Sequence, residues 1–358
     1  MQEALALARL GLGRTSPNPP VGAVLVRDGQ VVGRGYHASA GKPHAEIVAI
    51  GEAEGKTRGA DLFVTLEPCA HQGRTPPCTR QIIEAGISRV VVGVEDPNPR
   101  VKGRGFEELR QAGIQVESGL LAEEGERLIE AYSRFITTGR PFVVAKWASS
   151  VDGKIATRSG DSRYISGAKS QEFAHRLRNE LDAILVGLGT VRIDNPQLTC
   201  RMDGGRNPLR VVLDGKANID HNSNIAGSAK EVPTLIAVTE DAEEEKVEGL
   251  SRLGMDVVRL PGVDGWVNLP SLLDELGRRD VMSLLVEGGS RILGSFFDGG
   301  LVDKVLVHVA PVIFGGEEAP VAVGGHGVES ITRALRIEEL ELLRLGEDIL
   351  ISGYLKKD

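Results

Sequence analysis

His44-Ala45-Glu46, then Pro68-Cys69 about twenty residues on, then Cys78 after the eight-residue segment 70–77, are the residues of this chain best suited to chemistry. One imidazole and two thiolates can hold zinc tetrahedrally and leave a fourth position to water. A site with three protein ligands is catalytic in type, whereas structural sites usually close with four. Zinc lowers the pKa of such a water toward about 7, which gives a nucleophile near neutrality. Glu46, two residues past His44, is close enough to face the same opening without ligating. A carboxylate there can take the water's proton and pass it to a ring nitrogen and a leaving amine. His-x-Glu alone carries little; two of only three cysteines flanking a Pro/Gly-rich loop carry much more. A purely structural zinc site is the bland alternative, and Cys200, far away in the second half, reads as a packed or partly exposed thiol.

Positioning these groups needs a scaffold, and the flanking sequence reads as one. Apolar runs at 21–26, 62–66, 89–94 and 115–117 alternate with helical patterns at 45–54, 79–85 and 106–112. Such alternation predicts a mostly parallel or mixed sheet covered by helices. Residues 4–10 read as a short helix stopped near Gly11 and Gly13. A longer helix over 122–136 closes this half before the connector Thr137-Thr138-Gly139-Arg140-Pro141. The second half restarts with a strand at 142–148, followed by strands at 183–186, 209–213, 234–238, 256–260, 283–286, 304–309 and 348–355. Helical patterns fall at 169–181, 269–278 and 292–297, and the acidic stretch 240–248 reads as a solvated helix face. Two domains are expected, residues 1–139 and 140–358.

Two glycine turns end strands in the second half, Gly187-Leu188-Gly189 and Gly288-Gly289. Glycine permits close backbone approach, and a following helix N-terminus offers free N–H groups to a phosphate. The Glu287-Gly288-Gly289-Ser290 turn is therefore a candidate pyrophosphate cradle, or only a tight turn. No Gly-x-Gly-x-x-Gly opens a strand–turn–helix unit, which disfavours an ordinary Rossmann fold.

Composition narrows the partners. A net charge of −8 and an aromatic content of 4% tell against a surface for many phosphates and against stacking platforms for single strands. A small anionic substrate stays open, because a local cluster of Arg and Lys can reverse the field inside one cleft. No segment approaches the roughly 18 apolar residues of a membrane span. Three cysteines make no disulfide scaffold, and the N-terminus lacks the basic start of a secretory signal. The expectation is a cytoplasmic enzyme that binds neither nucleic acid nor membrane.

The zinc nucleobase deaminases carry His-x-Glu and a later Pro-Cys-x-x-Cys. This chain keeps the first element and lengthens the second spacing to eight residues, which preserves the ligand count and alters the pocket. Around these residues stand Thr15-Ser16-Pro17-Asn18-Pro19-Pro20-Val21-Gly22, the insertion Ala70-His71-Gln72-Gly73-Arg74-Thr75-Pro76-Pro77, and Asp96-Pro97-Asn98-Pro99 with Gly103 and Gly105. Later come Lys146-Trp147-Ala148-Ser149-Ser150-Val151-Asp152-Gly153-Lys154, Gly160-Asp161-Ser162-Arg163-Tyr164 and Asp194-Asn195-Pro196-Gln197-Leu198-Thr199-Cys200-Arg201. Over nearly its whole length the chain resembles the bifunctional deaminase–reductases of riboflavin biosynthesis.

The resemblance implies a cytidine-deaminase-like α/β/α sandwich followed by a dihydrofolate-reductase-like α/β domain. It implies zinc on His44, Cys69 and Cys78 and a proton shuttle at Glu46. The implied substrate, a small phosphorylated pyrimidine, is 2,5-diamino-6-ribosylamino-4(3H)-pyrimidinone 5′-phosphate, with Asn18, His71 and Arg74 around it. Asn18 offers an amide to a pyrimidinone edge, and Arg74 a bidentate guanidinium to a phosphate. In the second half the resemblance implies NADPH on Ala148, Tyr164, Thr190, Asp194 and the run Gly289, Ser290, Arg291, Ile292, Leu293, Gly294 and Ser295. Substrate would meet Ser162, Arg178, Leu198, Arg201 and Glu287, with Lys146 near the reacting carbon as ribosyl is reduced to ribityl. Tyr164 stands where the family often has Trp, and Val151 where Leu is usual; both keep an apolar face. The family usually assembles through its reductase domain, so a homo-oligomer, dimer or larger, is expected. Two other readings stay open: a tRNA deaminase with an accessory reductase-like domain, and a non-catalytic zinc module attached to a nucleotide-sensing domain.

Overall fold

A computed structural model of the chain describes residues 1–70, 76–163, 165–263 and 265–356. It divides into two units, Met1–Arg140 and Pro141–Asp358. The first contains, in order, α1 (Gln2–Arg9), β1 (Gly22–Arg27), β2 (Gln30–Tyr36), α2 (Ala45–Glu52), β3 (Asp61–Leu66), α3 (Cys78–Glu84), β4 (Arg89–Val94), α4 (Arg104–Gln111), β5 (Gln115–Ser118), α5 (Ala122–Leu128) and α6 (Glu130–Thr138). Its sheet has the order β2-β1-β3-β4-β5. β1 runs antiparallel to β2 and β3, whereas β3, β4 and β5 are parallel.

Most of β4 and the second half of β3 are buried on both faces, which is why they read as continuous apolar runs rather than alternating ones. Leu62, Val64, Val90 and Val92 share a core with Ile82, Phe106 and Leu109. Each such burial contributes about 1.5–3 kcal/mol. Helix α2 lies directly on β2. A Cβ on Gly33 or on Gly35 would stand 2.2 Å from the carbonyl oxygen of Ala49 or of Ala45 respectively. Small residues on both partners thus set the depth of the helix and of His44 at its head.

Two features of this unit differ from expectation. β2 was not anticipated, because its two glycines and exposed first residues give no apolar alternation. The single helix expected over 122–136 is two: buried, β-branched Ile129 leaves helical geometry at φ −103°, ψ 12°, and α6 begins after it.

The second unit contains β6 (Phe142–Ser150), α7 (Ala168–Glu180), β7 (Ala183–Gly187), α8 (Leu188–Asp194), β8 (Leu209–Leu213), α9 (Asn224–Gly227), β9 (Thr234–Thr239), α10 (Glu244–Arg252) and β10 (Asp256–Leu260). After the ribbon β11 (Gly262–Val263) and β12 (Trp266–Val267) come α11 (Leu269–Arg278), β13 (Ser283–Val286), α12 (Ser290–Asp298), β14 (Lys304–Ala310), β15 (Ile337–Leu345) and β16 (Asp348–Leu355). The nine-stranded sheet has the order β10-β9-β8-β7-β13-β6-β14-β16-β15. It is parallel from β10 to β14 and antiparallel where β16 joins β14 and β15. Val143, Leu185, Leu235, Leu284 and Phe296 form its core. β15 was not expected either: it is exposed along nearly its whole length and rich in Glu and Leu, which favour helix. Among the described residues, no helix is long and apolar enough to cross a membrane.

Candidate active sites

His44 caps the start of α2 in extended backbone, and Cys78 opens α3. Cys69 arrives three residues past the end of β3. These elements bring His44 Nδ1 to 3.1 Å from Cys78 Sγ and 3.6 Å from Cys69 Sγ, while the Cys78 N–H donates to Cys69 Sγ at 3.4 Å. All three ligand atoms lie within 4.8 Å of one another. Two helix N-termini meet here, and their partial positive charge favours thiolates. The hydrogen bond between the two sulfurs holds Cys69 down to about 4 and pushes Cys78 up, so the pair shares one proton. His44 is raised by its hydrogen bond with Cys69. One thiolate, a second thiol and an imidazole, converging at this spacing, fit zinc by their donor chemistry. Glu46, the second residue of α2, is 3% exposed, and burial first, then the Cys69 sulfur, raises its carboxyl to about 6.

Asn18 stands beside a histidine that the sequence reading passed over. Its Nδ2 lies 3.1 Å from His37 Nε2, and His37 Nδ1 lies 3.1 Å from the Pro43 carbonyl oxygen. A carbonyl only accepts, so the His37 proton sits on Nδ1 and Nε2 accepts from the Asn18 amide. Burial lowers the His37 pKa and keeps the ring neutral. That bond uses one of the two Asn18 N–H groups and fixes which way the amide faces. His37 follows β2 directly, so recognising that strand would have pointed to it. His71 and Arg74 lie outside the described residues. The Asp96–Pro99 segment, with Gly103 and Gly105, is tied to the metal loop. The Glu67 carboxylate accepts the N–H groups of Asp96, Gly103 and Gly105 at 3.2, 3.0 and 2.9 Å. The Tyr132 hydroxyl in turn donates to Asp96 at 3.1 Å.

Two clefts of the second unit gather the residues expected at its ligands. The first, of about 630 Å³, is lined by Thr190, Asp194, Gly289, Ser290, Arg291, Ile292 and Ser295 among the residues expected at a cofactor. Leu293 and Gly294 are not there. Leu293 is fully buried in the core, and a Cβ on Gly294 would stand 2.4 Å from the Gly324 carbonyl. A helix shows one face to a cleft, and these two positions of α12 lie on the other. Ala148 lines the second cleft instead of the first. Tyr164 lies outside the described residues.

Ser162, Arg178, Leu198, Arg201 and Glu287, expected around a substrate, all line the second cleft, of about 450 Å³, with Lys146 and His175. Glu287 lies 2.7 Å from Arg178 Nη2 and 3.2 Å from Lys146 Nζ. Arg201 Nε donates to His175 Nε2 at 3.0 Å. Leu198 adopts φ +56°, strained for a branched side chain. Its neighbours hold it so: fully buried Arg210 donates to the Gln197 carbonyl at 3.2 Å, and Arg178 to the Thr199 carbonyl at 3.4 Å. Ile155, Ser162, Thr190, Asp194 and Gly289 line both clefts, and the Ser162 hydroxyl donates to Asp194 at 2.9 Å within this common wall.

Comparison with known proteins accounts for both halves. Residues 1–94 match the cytidine and deoxycytidylate deaminase zinc-binding region, and residues 141–351 match the RibD C-terminal domain. The chain is 44% identical over 352 residues to the riboflavin biosynthesis protein RibD of Aquifex aeolicus, covering 98% of this chain and 96% of that one. It is 36% identical over 364 residues to the Escherichia coli protein of the same name, covering 98% and 97%. Among solved structures it is similar to a Thermotoga maritima diaminohydroxyphosphoribosylaminopyrimidine deaminase/5-amino-6-(5-phosphoribosylamino)uracil reductase. There the TM-score is 0.87 and the identity 40%, over 99% of this chain and 97% of that one.

Proposed function

The chain belongs to the RibD family, bifunctional deaminase and reductase enzymes of riboflavin biosynthesis, and on that premise we propose a specific pair of reactions for its two units. The first removes the 2-amino group of 2,5-diamino-6-ribosylamino-4(3H)-pyrimidinone 5′-phosphate. The second reduces the ribosyl group with NADPH, giving 5-amino-6-ribitylaminouracil 5′-phosphate. The observation that carries this reading is the convergence of His44, Cys69 and Cys78 beside buried Glu46, in one chain with a paired-cleft reductase unit. The two activities named for the Thermotoga maritima relative support it.

Zinc, when bound by His44, Cys69 and Cys78, supplies a water acidic enough to attack near neutral pH. Glu46 would carry two protons in turn, one from the attacking water to the ring nitrogen and a second from the hydroxyl so added to the departing amino group. The Asn18 oxygen, fixed by the bond from its nitrogen to His37, accepts an N–H of the pyrimidine edge. In the second unit Thr190, Asp194, Gly289 and Ser290 would hold NADPH, which would supply the hydride for the imine carbon of the opened glycosylamine. Lys146, beside Glu287 in the second cleft, holds the proton that the nitrogen gains. Arg178 and Arg201 give that cleft the positive charge a phosphate needs within an acidic protein.

We also read the second unit as the assembly surface of a homo-oligomer. β15 is an open edge strand whose Leu340, Leu342 and Leu343 are 57%, 68% and 51% exposed, beside Ile349 at 48%. Exposed apolar edges of this kind mark interaction surfaces.

Mass spectrometry of the diaminopyrimidine phosphate after incubation with zinc-loaded protein, with and without NADPH, tests the reactions. Deamination alone is expected without NADPH, and deamination plus reduction with it. No mass change under either condition overturns the substrate assignment.

A further inference from the structure

Lys146, Arg178 and Arg201 line the second cleft, but they are not equally free to meet an anion. Lys146 and Arg178 share the Glu287 carboxylate at 3.2 and 2.7 Å, whereas among the described residues Arg201 has no ion pair. Arg201 is exposed, and a long exposed side chain must give up rotamer freedom before it can hold a ligand. What orders it here is an imidazole. Arg201 Nε donates to His175 Nε2 at 3.0 Å, and the Arg201 backbone N–H faces the other ring nitrogen, Nδ1, from 3.3 Å. A neutral imidazole has a single acceptor nitrogen, and a guanidinium only donates. The shorter, charge-assisted contact therefore claims Nε2 as acceptor, and the ring proton sits on Nδ1, where the Thr199 carbonyl accepts it. Burial, then Arg178 and Arg201, lower the His175 pKa and keep Nε2 free of a proton at neutral pH.

His175 and Arg178 stand three residues apart on α7, so one face of that helix addresses the segment after Leu198. Arg178 donates to the Thr199 carbonyl at 3.4 Å, and the Cys200 thiol to the His175 carbonyl at 3.5 Å. The backbone that carries Arg201 is thereby held to the same turn of helix as its side chain. With Nε occupied, the N–H groups of Arg201 Nη1 and Nη2 remain, and among the described residues they have no partner. That edge of a guanidinium matches two oxygens of one phosphate. We propose that His175 is a positioning residue for the reductase: it grips Arg201 by Nε, turns the Nη1–Nη2 edge toward the phosphate monoester of the substrate, and so sets the preference of the second cleft for a phosphorylated pyrimidine over the same compound without its phosphate. The proposal rests on reading that cleft as the site of the substrate phosphate.

Steady-state reduction by the full-length protein at saturating NADPH tests it, with the deaminated pyrimidine phosphate and its dephosphorylated form as the two substrates. His175→Leu removes the acceptor and keeps apolar bulk; His175→Ala does so with the best helix former, should leucine unsettle α7. His175→Gln puts an amide oxygen in place of Nε2. The leucine and alanine variants should raise KM for the phosphorylated substrate about tenfold and leave kcat within about twofold. KM for the dephosphorylated substrate and for NADPH should not move. H175Q should recover most of the loss. Added to Arg201→Gln, H175L should cost less than about twofold more, because a group that acts through Arg201 then has nothing to act on. A KM rise common to both substrates, or one that adds in full to that of R201Q, means that His175 serves packing, and the proposal fails. It fails too if KM stays at the wild-type value or if kcat falls instead, with the phosphate reading intact. A wild-type protein that reduces neither substrate, or both with one KM, overturns that reading and the proposal together.

Discussion

Replacing Glu287 by glutamine probes the charge network that lines the second cleft. The Glu287 side chain is 11% exposed, and those of Lys146 and Arg178 are 14% and 16% exposed. Burial alone would raise its pKa, but Arg178 and then Lys146 more than reverse this and hold it at about 2, against an ordinary 4.5. At ~1.36 kcal/mol per pH unit, that difference is worth roughly 3 kcal/mol of native stability. Removing one member of a buried pair typically costs about 3–5 kcal/mol, and glutamine keeps the shape and one acceptor, so about 2–3 kcal/mol is expected at pH 7. For a unit of this size the reductase transition should fall by roughly 5–10 °C. The sign of the pH dependence follows from a pKa depressed on folding. The stabilisation is complete above 4.5, is lost progressively below it, and is gone below about 2. The gap between wild type and E287Q should hold steady from about pH 8 to 5.5 and narrow by about 1 kcal/mol at pH 3.5. Scanning calorimetry across that range reads it directly. A gap under about 0.5 kcal/mol at pH 7, or one unchanged at pH 3.5, would refute the reasoning.

Three further outcomes are expected. Glu46→Gln should lower deamination by about 10²–10⁴-fold with zinc content retained by elemental analysis, since it removes the proton carrier and no ligand. Gly105→Ala puts a methyl 2.2 Å from the Pro68 carbonyl oxygen and 3.1 Å from Glu67 Oε1. It should cost about 1–3 kcal/mol and weaken zinc in a chelator competition by displacing Cys69; unchanged zinc affinity would mean that the loop yields elsewhere. Leu342→Glu, on exposed β15, should reduce the light-scattering mass toward that of one chain; an unaltered mass would place the assembly surface elsewhere.

The metal set was legible because its chemistry demands particular residue types, and only three cysteines compete for the role. The strands buried on both faces were legible as apolar runs. β2 and β15 were not, for opposite reasons: one is too rich in glycine to show a pattern, and the other is a sheet edge with nothing packed on it. The missing β2 hid His37, and with it the reason the Asn18 amide has a fixed orientation. The run 289–295 was legible as a turn entering a helix, but carrying all seven residues to one ligand ignored the 3.6-residue period that turns Leu293 and Gly294 inward.

Ile155, Ser162, Thr190, Asp194 and Gly289 line both clefts, with a bond from Ser162 to Asp194 among them, so a ligand in either cleft would meet the same side chains. Whatever factor a bound cofactor applies to substrate affinity through those shared residues, bound substrate must apply to cofactor affinity. A substitution at Ser162 or Asp194 should therefore move both dissociation constants together, and the departure of one product sets how tightly the other is still held.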